Sequence, residues 1–457
     1  MALKSATATV SEAVIKQLVR YLSGNPEENL PKLIKLGEAI ATEKQHKEYV
    51  RNWARMFADS NNNWRKYATR LLTETSPKVR EKLAVNFLIN AGIKCPQRLR
   101  ESGERYGIHV PWAILIDPTG RCNLRCKGCW AGDYDRSLDM DFATLDRVIT
   151  EAEDLGIRFF VVSGGEPLVR MEDLIKLAQK HDQSVFHVFT NGTLITKDAA
   201  KRFADLGNIT FAISIEGFEE ATDQRRGPGV FKRVMAAMDN LREAGVVFGF
   251  SATYTRLNTE EVGSDEFINL MIDKGCSLGW LFTYVPVGGG ADLDYMATPE
   301  QRAYMCRKVR EWRATKPILV ADFWNDGEAV GGCIAGGRCY FHINSAGEVE
   351  PCAFVHYANV NIKNCSLVDA LKSPLFLAYQ KHQPFNSNML RPCPLIDNPE
   401  ILEKMVSESG AHPTQNNKLS AAEMCRPLWP YAEAWGKVAD SIWAKDHAVS
   451  QTAGSDA

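Results

Sequence analysis

No apolar run in the 457-residue chain approaches the roughly 18 residues that a spanning helix needs. The first ten residues lack the apolar core of a secretory signal, so the expected location is cytoplasmic. Charge of one sign is also lacking. The formal net charge is −2, which gives no electrostatic case for nucleic acid or for an anionic membrane. Histidine is sparse, and none lies between His109 and His181. Internal repeats and low-complexity segments are absent. Apolar residues at 45% and charged residues at 24% describe an ordinary globular chain, and the length suggests about three domains.

Cysteine, by contrast, is plentiful, with twelve residues. A disulfide framework belongs to small secreted domains, so these thiols point to a reducing compartment and to metal ligation. Cys122, Cys126 and Cys129 form C-x3-C-x2-C, and the next cysteine is Cys276. Three thiolates can hold three irons of a cuboidal iron–sulfur cluster. A fourth iron without a cysteine is an open coordination site, which suits chemistry. Zinc would usually want four cysteine or histidine ligands, and no histidine lies close by.

Residues 1–110 read as helical. Thr9 and Glu12 make a capping-box pattern. Asn25-Pro26 with Glu28 signals a second start, followed by Leu30, Leu33, Ile34 and Leu36. Ser76-Pro77 repeats the signal before Val79, Leu83, Val85 and Phe87. From Pro111, short apolar runs alternate with amphipathic helices such as Phe142–Leu155 and 231–244. The runs are Ala113–Ile116, Phe159–Val162, 185–189, 209–215, 246–252 and 280–285. Six such alternations predict βα units and a parallel sheet. Cys122 follows the first run and Gly164-Gly165-Glu166-Pro167 the second. Thr190-Asn191-Gly192 follows the third, and Ser214 and Glu216 end the fourth. Ends of parallel strands are where active sites collect.

The cysteine triplet resembles that of the radical S-adenosylmethionine (SAM) superfamily. The resemblance implies a partial (β/α)6 TIM-like barrel, in which the open iron chelates the amino and carboxylate groups of SAM. One electron then cleaves the sulfonium and yields a 5′-deoxyadenosyl radical. Gly164, Gly165, Glu166 and Pro167 resemble the superfamily's GGEP motif, where glycines allow close backbone approach and a carbonyl, with the Glu166 carboxylate nearby, accepts from the SAM ammonium. Ser214 and Glu216, on one strand face, resemble the residues that bond the SAM ribose. Arg226, with Arg225 before it, resembles an arginine that faces the SAM carboxylate. Thr190, Asn191 and Ser251 are further candidates for the same pocket. Trp130 suits an adenine neighbour or a cluster shield, and His187 reads as a satisfied barrel residue. No catalytic side chain is assigned.

Cys333, Cys339 and Cys352 begin a second cysteine group, with Gly347 four residues inside Cys352. Ile343 and Val349 flank Asn344-Ser345-Ala346-Gly347, a hairpin signal that would bring Cys339 and Cys352 together. The block resembles the auxiliary-cluster region of SPASM and twitch domains. That resemblance implies one auxiliary 4Fe–4S cluster beside the SAM-binding 4Fe–4S cluster. Cys393 is the expected fourth ligand, with Cys425 and then Cys365 behind it, and a zinc knot is the alternative. Cys95, Cys276 and Cys306 read as buried structural thiols.

The expected organisation is thus a helical segment 1–110, a barrel 111–330, a SPASM/twitch-like cluster domain 331–430, and a C-terminal helix with a frayed tail 431–457. The implied activity is hydrogen abstraction from an unactivated C–H bond. The implied substrate is a lipid alkyl chain or a peptide, with a small metabolite behind these. A ribosomal-peptide maturase forming thioether or carbon–carbon links is one alternative, and a non-catalytic electron carrier or redox sensor is the other. A flavodoxin- or ferredoxin-type electron donor, peripheral membrane contact and oxygen sensitivity belong to the same set of expectations.

Overall fold

The structure is a computed structural model that describes residues 12–40 and 44–453. Thr9 and Val10, and with them the first capping pattern, lie outside the described residues. Helices run over Glu12–Gly24, Pro26–Ile40, Lys44–Ala58, Asn63–Glu74 and Pro77–Leu83. The start at Pro77 forms as its sequence predicts: Ser76 Oγ accepts from the Val79 amide, and Pro77 occupies the first turn, where no amide is needed. A π-helix then spans Ala84–Lys94, followed by an α-helix over Cys95–Tyr106 that ends on left-handed Gly107. The π-helix corrects one expectation. Val79 and Val85 are buried, but Phe87 is 43% exposed. The wider i→i+5 turn rotates residue 87 off the stripe that 3.6-residue spacing would continue.

Seven parallel strands follow: β1 (Ala113–Ile116), β2 (Phe159–Val162), β3 (Val185–Thr190), β4 (Ile209–Ser214), β5 (Phe248–Tyr254), β6 (Leu278–Thr283) and β7 (Leu319–Asp322). Each pairs with its sequence neighbour. A further strand, β8 (His342–Ile343), pairs parallel with the free edge of β1, and β9 (Val349–Glu350) returns antiparallel to it. The sheet order is β7-β6-β5-β4-β3-β2-β1-β8-β9. The run expected at 246–252 starts two residues late, because the Val246 amide bonds back to the Leu241 carbonyl and stays part of the preceding helix end.

The helical layer closes the end of the barrel where the strands begin. Asn86 Nδ2 donates to the Asp182 and Ser184 carbonyls before β3. The Ser76 amide donates to Gly245 O before β5. Arg70 donates to Ile272 O before β6 and to Pro317 O before β7. Outward residues such as Ile114, Ile116, Phe160, Val162, Phe211 and Phe250 are at most 5% exposed beneath the helices. Inward positions behave oppositely. Leu115, Phe159, Val161, Phe189, Trp280 and Phe282 all remain partly exposed. A closed eight-stranded barrel fills its interior with side chains; this open one keeps a lumen, walled by aromatic rings. No helix among the described residues is long and apolar enough to cross a membrane.

Candidate active site

The three cysteines sit in the long loop after β1, at the end where the strands finish. The loop is tied down at several points. Thr119 bridges to Asp139, and Cys129 bridges to Gly289 in the segment after β6. The Lys127 amide donates to Arg225 O at 2.9 Å. Gly128 has φ +60, and a Cβ there would lie 2.7 Å from the Tyr284 ring, so the turn into Cys129 requires glycine. Burial, with Glu166, Cys126 and Cys129 adding to it against the Leu124 amide, pushes the Cys122 thiol up to about 11. Burial likewise raises Cys129, with Cys126 next. Mutually repelling buried thiols become stable thiolates only beside positive charge, and a bound metal supplies it. Two donors already face the sulfurs: Asn191 Nδ2 lies 4.0 Å from Cys122 Sγ, and Arg226 Nη1 lies 4.0 Å from Cys126 Sγ. The donor set therefore fits an iron–sulfur cluster. Among the described residues no three His, Cys, Asp or Glu side chains are placed to hold a metal ion.

Gly164 and Gly165 pack directly against this loop. The Gly165 amide donates to Thr119 O and the Glu166 amide to Arg121 O. A Cβ on Gly165 would come within 2.2 Å of Arg121 O. The glycines thus seat the turn on the cysteine loop. Glu166 is tied into the protein as well. Its carboxylate, 1% exposed, points inward and accepts from Thr190 Oγ1 at 2.6 Å, the Asn191 amide at 2.7 Å and the Leu168 amide at 3.0 Å. It knits β2 to β3. Pro167 starts the short helix that follows. Thr190 is used up by Glu166 and by the Gly192 amide, while Asn191 Nδ2 also reaches Asn123 Oδ1 at 2.8 Å.

Glu216 is fully buried and likewise engaged. Arg226 Nε donates to it at 2.8 Å, and Arg226 Nη2 closes on the same oxygen. Arg225 Nη1 lies 2.6 Å away in an ion pair without an aligned hydrogen bond, and the Thr253 amide donates to the other oxygen. Against its burial, Glu216 and then Cys126 hold the Arg226 guanidinium well above its usual range. Arg225 Nε reaches Lys127 O at 3.3 Å. The pair of arginines therefore clamps the cysteine loop onto Glu216, the carboxylate expected at the SAM ribose. Ser214 stays half-buried at the end of β4, in register with the buried Ser251 on β5. Those two hydroxyls remain at the lumen wall.

The second cysteine group assembles in part. Burial, then Cys333 and Cys393, raise the Cys352 thiol. Burial and Cys393 push Cys333 up to about 12. Burial raises the Cys339 thiol, with Arg338 opposing it. The expected hairpin forms as β8–β9. Cys425, fully buried, is pushed up to about 12 by burial, with Glu403 and Cys393 next. Cys393 is positioned through its amide, which donates to Asp397 Oδ2 at 3.0 Å. Asp397 is paired with Arg302 at 2.5 Å, both fully buried, and the Arg302 guanidinium lies 4.1 Å over the Trp435 ring. Cys365 caps its own turn at Asn361 O.

Sequence reasoning missed two features. The first is a buried polar chain at the β1–β8 seam. Asp117 Oδ2 meets His342 Nε2 at 2.8 Å, His342 Nδ1 meets Glu350 Oε2 at 2.7 Å, and Tyr134 donates to Glu350. Against burial, Asp117 and Glu350 push the His342 imidazole up to about 10, so it stays charged. Trp130 packs here, 5.7 Å from the His342 ring and 6.2 Å from Phe354, and so lines the seam. The second is the aromatic wall. His187 accepts from Trp280 Nε1 at 3.0 Å and faces Thr210 Oγ1 at 2.9 Å, and burial holds it neutral, near 4. Phe282 contacts Phe189, Phe323, Trp324 and Phe354. Alternation within the strand runs was the available signal.

Residues 116–267 match the profile of the radical SAM superfamily. The chain is 31% identical over 274 residues to the mycofactocin maturase MftC of Mycolicibacterium smegmatis, covering 56% of this chain and 68% of that one. It is 27% identical over 286 residues to the AdoMet-dependent heme synthase of Methanosarcina barkeri, covering 56% and 80%. In fold it resembles Streptococcus suis SuiB bound to its precursor peptide SuiA, with a TM-score of 0.54 and 17% identity over 72% of this chain and 87% of that one. The chain belongs to the radical SAM superfamily and is an enzyme. Its cofactors are SAM and a 4Fe–4S cluster, and relatives of the SPASM type carry auxiliary clusters as well.

Proposed function

We propose that the enzyme reductively cleaves SAM and abstracts hydrogen from an unactivated C–H bond in an apolar part of its substrate. Cys122, Cys126 and Cys129 would hold the SAM-binding cluster. Cys333, Cys352 and Cys393, with Cys339 or Cys425, would hold the auxiliary one. The bound cofactors would supply a 5′-deoxyadenosyl radical. The chain's own residues supply the setting: the Gly164–Pro167 backbone, Ser214 and Ser251 border the ligand space, and Arg226 neutralises Cys126. The observation that carries the substrate reading is the partly exposed aromatic wall, which offers apolar contact and almost no ionic contact. Such a wall excludes water from a reactive centre and suits an alkyl segment or an apolar side chain. The names of MftC and SuiB–SuiA support a peptide as the carrier of that segment, and the wall alone equally suits a lipid chain. The test is incubation of reduced, reconstituted protein with SAM and a reductant or a flavodoxin- or ferredoxin-type donor. 5′-Deoxyadenosine and methionine are expected. If neither forms, the reading as an electron carrier or redox sensor takes its place.

A further inference from the structure

The cysteine loop runs on past Cys129 into Trp130–Tyr134, and this stretch meets a segment 285 residues further along the chain. That segment, 411–420, joins the helices Pro399–Ser409 and Ala421–Cys425. Gln415, 3% exposed, donates from Nε2 to the Trp130 carbonyl at 3.2 Å. The Asn416 amide donates to Asp133 O at 3.1 Å, and the Asn417 amide to Asp133 Oδ2 at 3.0 Å. Thr414 Oγ1 donates to Glu350 Oε1, and Tyr134 donates to Oε2 of the same buried carboxylate at 2.7 Å. Consecutive residues thus grip the stretch, three directly and Thr414 through Glu350. The segment is itself fixed. His412–Pro413 pairs antiparallel with Tyr357–Ala358, and the Thr414 amide donates to His356 O at 3.0 Å. Tyr357 donates to Leu419 O at 3.0 Å. Lys418 has φ +48, the one non-glycine residue in the left-handed region among the described residues. A residue with a side chain holds that conformation where its surroundings dictate it. The Lys418 amide closes the turn on Gln415 O at 3.1 Å, which aims the donors of 415–417 at the cysteine loop.

We propose that Gln415, Asn416 and Asn417 are positioning residues of the cysteine loop, which fix Trp130–Asp133 and thereby set Cys129 for a cluster. The proposal rests on the reading of Cys122, Cys126 and Cys129 as ligands. Three thiolates on one cluster must keep fixed separations, and ordering a loose loop subtracts from the free energy of metal binding. Before Cys129 the loop is pinned by the barrel: the glycine turn bonds to Thr119 O and Arg121 O, and Arg225 holds Lys127. Beyond Cys129, Gly132 N and Tyr134 N bond within the stretch, to Cys129 O and Ala131 O. Cys129 itself is bridged to Gly289, inside the run Gly288-Gly289-Gly290. Glycines lose the most freedom on ordering, so that run is a weak anchor. The grip from 415–417 supplies the firmer hold, and it comes from beyond the second cysteine group.

The experiment compares full-length wild type with Q415M/D133A, which removes the side-chain donor to Trp130 and the carboxylate that Asn417 meets, and with D133N, which keeps an acceptor for the Asn417 amide. Hydrogen exchange is followed by mass spectrometry on the metal-free proteins. Iron loss to a chelator is followed on the reconstituted ones, and EPR with and without SAM separates the two clusters. In Q415M/D133A, exchange across 126–134 is expected to quicken about ten-fold. Iron should leave the Cys122–Cys129 site about ten-fold faster, while auxiliary iron and exchange in the barrel strands stay at wild-type values. D133N should behave as wild type. Wild-type exchange and iron retention in Q415M/D133A overturn the proposal. Quicker exchange throughout the protein with loss of both irons also overturns it, because the segment then serves general stability. A wild type that takes up no iron on the first triplet is a different result, which fails the cluster reading and removes the role proposed for 415–417.

Discussion

Glu216→Gln separates two roles for one carboxylate. The side chain is fully buried between Arg225 and Arg226, whose side chains are only 11% and 13% exposed. Glutamine keeps the shape but removes the charge, leaving two guanidinium groups in a low-dielectric site with one neutral acceptor. Removing one partner from a buried ion pair typically costs about 3–5 kcal/mol. For a barrel of this size that is on the order of 10 °C in apparent Tm. The damage should also travel. Arg225 holds Lys127 through both its carbonyl and its guanidinium, and Arg226 faces Cys126. Partners of this kind typically change metal affinity about 10- to 100-fold. Glu216→Gln is therefore expected to lose iron from the Cys122–Cys129 site in a chelator challenge and to melt earlier. Iron retention and Tm at wild-type values, together with a raised KM for SAM, would refute the clamp and make Glu216 a direct ligand of the nucleoside.

In a background lacking the first triplet, Cys122→Ala with Cys126→Ala and Cys129→Ala, the auxiliary iron should survive. Adding Cys425→Ser or Cys339→Ser then identifies the fourth ligand by which change removes the iron. Arg302→Met should strand Asp397 as a buried carboxylate, cost about 3–5 kcal/mol and release auxiliary iron, because Asp397 no longer orients the Cys393 amide; unchanged Tm and iron would contradict this. His342 has a folded-state value of about 10, above the 6.5 of a free imidazole. Its contribution is thus complete below pH 6.5 and lost as pH rises toward 10, on the order of 5 kcal/mol. Thermal melts of the wild type should fall across that window more steeply than those of His342→Gln, and parallel curves would exclude the effect.

The parts of the fold that local pattern encodes were legible. Ala113–Ile116 and Phe159–Val162 stand where the apolar runs put them, and the Asn344–Gly347 turn folds as its residues require. What escaped depends on contacts distant in sequence. Strand β7 has four residues, begins with an exposed Leu319 and ends in a buried Asp322, so it carries no alternation to read. Strand β8 has two residues, and its pairing with β1 joins positions more than two hundred residues apart. The cysteine triplet and the glycine turn were recognisable because each motif lies within a few consecutive residues. The protein partners of Glu166 and Glu216 were not, because a carboxylate at a strand end looks the same whether Thr190 and backbone amides meet it, as at Glu166, or two arginines, as at Glu216. The π-helix was hidden for a related reason: its apolar and polar residues read as a continuation of the helix begun at Pro77, and nothing in their spacing marks the wider turn.

The pairing of β8 with β1 makes the segment carrying the second cysteine group a strand of the barrel itself. The Trp112 and Ala113 amides bond to Cys339 O, that of Leu115 to Phe341 O and that of Asp117 to Ile343 O. Cutting the chain before residue 331 would bare the β1 edge and strip the imidazolium from Asp117, so the fragment would present an open template for pairing with other chains. For anyone dividing this enzyme for expression or grafting, there is no seam at that point. Cys352 follows β9 by two residues, so part of the second cysteine group is carried by the same sheet whose first strand leads into the Cys122–Cys129 loop.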